Sequence, residues 1–82
     1  MFAFRCKQIG LKIAYYRRLR NLTQAELARR INISDSTLGK IECGKYNKNL
    51  SLAMLMNIAE GLGVDVIMLI DVDKRENVIN NT

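Results

Sequence analysis

The sequence predicts an all-α fold of four to five short helices, and three observations carry that prediction. Apolar residues recur at i, i+3 or i+4, and i+7 along most of the chain, the spacing of one helix face. Thr23, Ser34 and Ser51 each stand before such a segment, where a hydroxyl caps the first amides of a helix. Asn21, Asn32, Gly44 and Gly63 stand at the segment ends, where a residue tolerant of left-handed backbone stops a helix. Eighty-two residues suffice for one domain and one core.

Residues 1–6 alternate Phe2 and Phe4 with Ala3 and Arg5, which predicts a short extended N-terminal arm. The domain proper is expected over 7–71, with 72–82 a polar tail. The first helix is placed at about Lys7 to Arg20, with Ile9, Ile13 and Tyr16 on its inner face and Tyr15 and Leu19 off it. The second starts behind Thr23, and Glu26 three residues on completes a capping box. It runs to about Arg30, with Leu27 and Ala28 inward. Asn32 makes the turn and Ile33 enters the core. Ser34 caps a third helix over 35–42, whose inner face is Leu38 and Ile41 and whose Ser34, Asp35, Ser36, Gly39 and Lys40 face out. Ser51 caps a fourth over 52–62, with Leu52, Leu55, Met56, Ile58, Ala59 and Leu62 as a broad apolar face. The run Val66, Ile67, Met68, Leu69 and Ile70 is ambiguous. Asp65 suits the cap of a fifth helix, yet the β-branched content suits a strand equally. One small domain cannot bury every face of such a run, so part of it is expected to form a dimer contact.

Charge and composition narrow the function. Residues 1–50 hold eleven Lys or Arg against three Asp or Glu, and 51–82 hold two against five. The front is +8 and the rear −3, an electrostatic footprint on one part of the molecule. No stretch reaches the ~18 apolar residues of a membrane span, and MFAFRCK is too short and too weakly apolar for a secretory signal, so a cytoplasmic protein is expected. Cys6 and Cys43 make no metal-type pair and there is no histidine. Free thiols, no metal and no cofactor are expected. Without histidine, a glycine-rich phosphate loop or an activated nucleophile, an enzyme is not expected.

From Thr23 to Lys45 the pattern becomes specific. Ile9-Gly10 and Arg17 are followed by LTQAELA at 22–28, IS at 33–34, TL at 37–38, IE at 41–42, GK at 44–45 and IAEGLGV at 58–64. Over about Ile9 to Asp71 the chain resembles the Cro/C1-type, Xre-like helix-turn-helix regulators. That resemblance implies a compact lambda-repressor-like DNA-binding domain, with 23–45 as the helix-turn-helix unit. It places base reading on Ser34, Asp35, Ser36 and Lys40, with Gly39 between them. It places backbone-phosphate contacts on Gln24, Thr37, Lys45 and Asn47, and on Arg17 as a secondary role; the nearby cation Lys48 is a further candidate to hold register on phosphates. It makes Arg17 and Glu42 a salt bridge between the first and third helices. Asp35 is an acidic departure that either accepts from a cytosine amino group or serves the helix start.

One reading helix covers about four base pairs, so a homodimer on a palindromic double-stranded operator is expected, joined through Val66 to Ile70. The expected function is transcriptional regulation, repression being favoured because it needs only occupancy. An antitoxin with a toxin partner and a restriction–modification controller stay open within the class. A protein-interaction module with a degenerate helix-turn-helix is the alternative outside it.

Overall fold

The computed structural model describes residues 2–46 and 50–71. Five helices follow in order: α1 Phe2–Leu19, α2 Gln24–Ile31, α3 Asp35–Glu42, α4 Leu52–Leu62 and α5 Ile67–Ile70. Among the described residues there is no strand. The ambiguity at 66–70 resolves to a helix because Leu69 drops fully into the core, which one inward residue per turn of helix supplies. The polar tail over 72–82 lies outside the described residues.

The caps behave as the sequence suggests. Thr23 Oγ1 accepts from the Glu26 amide at 3.0 Å, and Glu26 Oε1 accepts from the Thr23 amide at 2.7 Å. Ser34 and Ser51 accept from the Thr37 and Met54 amides. Asn21 and Asn32 take positive φ of 57° and 65°, and Asn32 turns α2 into α3. Two expectations are corrected. The first helix begins at Phe2, not Lys7, so residues 2–6 are helix rather than an extended arm. No capping residue or proline stands before Lys7 to start it there, and propagation adds a hydrogen bond per residue once a helix exists. Asp65 does not cap α5, whose N-cap is Val66 with no side-chain hydrogen bond.

The core is Ile13, Leu27, Ala28, Ile31, Leu38, Ile41, Leu55, Ile58, Ala59, Leu62 and Leu69. Ile9, Tyr16 and Ile33 pack against it from partly buried positions. Leu52 and Met56, expected inward, are exposed: α4 covers the others on one side only, and its apolar face is wider than the surface it meets. Gly10 lets α1 cross α3 closely, since a β-carbon there would stand 2.7 Å from the Glu42 carbonyl oxygen.

Several front-half cations are held by backbone carbonyls of other helices. Arg20 donates to the Leu62 and Gly63 carbonyls, and Arg30 to the Gly61 carbonyl. Both close the C-terminal end of α4, where the helix leaves carbonyls without partners. Asn57 returns a bond from α4 to the Ile31 carbonyl at 2.9 Å. Lys12 donates to the Asp71 carbonyl and secures α5 to α1.

Candidate nucleic-acid interface

α3 divides cleanly into two sides. Leu38, Ile41 and Glu42 are buried, while Ser34, Asp35, Ser36 and Lys40 are exposed. All five expected base-facing positions therefore lie on one short segment, with Gly39 partly covered among them. Cys43 is also exposed, one turn beyond Lys40. Sequence reasoning did not place it on this face, though its i+3 spacing from Lys40 was available.

The hydroxyls have different duties. Ser34 Oγ accepts from the Thr37 amide and donates to Thr37 Oγ1 at 2.8 Å. Ser34 is thus committed to the helix cap, and the Thr37 hydroxyl, now an acceptor of that bond, keeps its own proton to donate. Asp35 sits in the first turn of α3, where its negative charge suits the positive end of the helix. It is not the cap; Ser34 is.

Beneath the exposed side lies a buried ionic brace. Arg17 Nε meets Glu42 Oε2 at 2.7 Å and Arg17 Nη2 meets Glu42 Oε1 at 3.1 Å. Arg17 Nη1 donates to the Leu22 carbonyl at 2.9 Å. The pair is the expected salt bridge between α1 and α3. Arg17 is only 9% exposed and its donors point inward, so it is not carried forward as a phosphate contact. Gln24 joins the same group, donating from Nε2 to Glu42 Oε1 at 3.2 Å. Among the described residues no buried side-chain nitrogen or oxygen lacks a partner. That satisfaction matters because an incompletely bonded buried charge is costly.

Lys45 follows Gly44 and is exposed; its amide bonds the Lys40 carbonyl at 2.8 Å and closes α3. It therefore sits at the exit of α3. Asn47 and Lys48 lie outside the described residues. Arg17 is paired within the core and Arg20, Arg30 and Lys12 are held on backbone carbonyls; among the other cations described, Lys7, Arg18, Arg29, Lys40 and Lys45 are exposed, and of these only Lys40 and Lys45 belong to α3 or its exit. The Glu26 carboxyl is held below its usual range, first by the Thr23 amide and then by the Thr23 hydroxyl, with lesser help from Arg29 and Arg30.

Among the described residues no cluster of three or more His, Cys, Asp or Glu forms, and no helix is long and apolar enough to cross a membrane.

Two short helices at a tight turn, the second presenting one polar side, define a helix-turn-helix protein. The chain belongs to the helix-turn-helix family of Cro/C1 type, whose model, described as helix-turn-helix, matches residues 13–69. That family comprises DNA-binding transcription regulators. The chain is 46% identical over 55 residues to an uncharacterised HTH-type transcriptional regulator of Methanocaldococcus jannaschii, spanning 67% of this chain and 80% of that one. It is 39% identical over 62 residues to an immunity repressor protein of Bacillus phage phi105, spanning 76% of this chain but 42% of the repressor's length. Among solved structures it resembles the restriction-modification controller protein C.AhdI from Aeromonas hydrophila, with a TM-score of 0.72 and 25% identity over 78% of this chain and 94% of that one.

Proposed function

We propose that the chain is a sequence-specific double-stranded DNA-binding repressor that works as a homodimer. Its α3 enters the major groove, the groove with a full donor and acceptor code. The observation that carries this is the single polar side of α3, with Asp35, Ser36 and Lys40 exposed above a fully bonded brace. Lys40 donates to guanine O6 or N7, and Ser36 donates or accepts. Asp35 accepts from cytosine N4 where the site presents one. Ser34 contributes chiefly by fixing the helix start. Gln24, Thr37 and Lys45, together with Asn47 and Lys48, hold the backbone phosphates and set register. The start of α2 assists, because a helix N-terminus attracts anions.

Dimerisation is assigned to α5. Ile67 is 61% exposed and Met68 and Ile70 about 40%, while Leu69 anchors the helix from within and Val66 is half-buried. The stripe Leu11, Tyr15 and Leu19 on α1 is also exposed and is the next surface in line. Control of a restriction–modification operon is favoured by likeness to a controller protein. Antitoxin activity with a toxin partner has no comparable support here.

Selection of bound duplexes from a random pool tests the whole proposal. The expected product is a palindrome whose half-sites lie about one helical turn apart. No enriched sequence would refute specific reading, and enrichment of single unpaired half-sites would refute the dimer.

A further inference from the structure

Gly39 lies beneath the side chain of Gln24. A β-carbon at Gly39 would stand 3.3 Å from Gln24 Oε1 and 3.7 Å from Nε2. The first of these is tighter than ordinary van der Waals contact. The same carboxamide donates to Glu42 Oε1 at 3.2 Å, and Glu42 is gripped by two nitrogens of Arg17. A primary amide has two N–H groups. One is used on Glu42, which leaves the other for a phosphate. Gly39 does not have positive φ, so its backbone does not require glycine, and glycine weakens a helix relative to alanine. Gln24 borders the space it leaves.

We propose that Gly39 is a specificity-determining residue through that space. Gln24 crosses α3 at Gly39, and the bridge from the start of α2 through Glu42 to Arg17 sets the angle at which Ser36 and Lys40 meet base pairs. Gln24 is then a positioning residue as well as a phosphate contact. This rests on the DNA-binding function proposed above. A glycine that merely lets DNA approach would behave differently: its replacement would cost the same whether or not Gln24 were present.

A double-mutant cycle on the selected operator and on a duplex changed at the Lys40 base separates the two. Gly39→Ala should weaken operator binding about fivefold beside Gln24 and leave it nearly unchanged in a Gln24→Ala background. It should also shrink the ratio of operator to altered-duplex affinity while the melting temperature holds or rises. Equal fold losses in both backgrounds, or an unchanged ratio, overturn the proposal. A second measurement needs no DNA. In the free protein the Gln24 side-chain amide protons should show nuclear Overhauser contacts to the Gly39 α-protons, and Gly39→Ala should displace the carboxamide and weaken the Gln24-to-Glu42 hydrogen bond. Absence of those contacts in the parent protein also overturns it. If the parent protein binds no duplex in a salt-dependent way, the DNA-binding function fails as well; if it binds and only the cycle is multiplicative, this inference alone fails.

Discussion

Lys40 and Glu42 stand two residues apart on α3 and face opposite ways, one exposed and one buried. Their substitutions should accordingly fail in different assays. Lys40→Ala should leave folding intact, cost ~1–3 kcal/mol in operator binding and relax preference at one base position. Equal losses on every duplex, measured by competition, would remove its base-reading role. Glu42→Ala should leave the Arg17 guanidinium buried without its carboxylate, a loss of roughly 3–5 kcal/mol. In a domain of this size that lowers the melting temperature by about 4–8 °C for each kcal/mol. A shift of a degree or two would show that water replaces the carboxylate and that the brace is minor. The Arg17–Glu42 pair was legible as a family resemblance, but the third partner was not. Gln24 sits eighteen residues from Glu42, and no local rule joins them; only the packing of α2 on α3 does.

At the scale of the element, the capping box of α2 makes a pH-dependent prediction. Glu26 is depressed below its ordinary 4.5 by the Thr23 amide and hydroxyl. A carboxyl lowered in the folded state contributes stability that is present above the unfolded value and lost as pH falls through the folded one. The contribution should therefore fade below about pH 4.5, and Glu26→Gln should flatten that part of the stability profile. Thr23→Ala should cost ~1 kcal/mol at neutral pH, read by chemical denaturation. A profile unchanged by either substitution would mean that the box contributes nothing in solution. The bounds of α2, α3 and α4 were legible to within a residue because their caps and stops are local chemistry. The start of α1 was not, since nothing local marks it. The nature of 66–70 was not either: its β-branched run fits two structures, and the choice falls to Leu69 reaching the core. Leu52 and Met56 were misplaced for a related reason. Periodicity says which residues share a face, not how much of that face another helix covers.

For the whole molecule, the split between a basic front and an acidic rear proves less direct than the charge count implies. Arg17 is neutralised by Glu42, while Arg20, Arg30 and Lys12 keep their charge but are held on backbone carbonyls, so fewer cations are free to reach a partner. The proposed homodimer would give the thin polar side of α3 a second copy, as useful specificity needs. Ile67→Glu should then give a monomer in sedimentation, with operator affinity reduced far more than affinity for a single half-site. A variant that stays dimeric would move the interface to Leu11, Tyr15 and Leu19.

Duplex affinity as a function of salt tests most directly whether this chain grips DNA through the α2–α3 unit. Each phosphate neutralised lowers the slope of log affinity against log salt by ~0.9. A slope steeper than about −3 on the selected operator, reduced by roughly one for each half-site in Lys45→Ala, is the expected result. Binding that is independent of salt, or absent at low ionic strength, would contradict it and leave the fold as an interaction module.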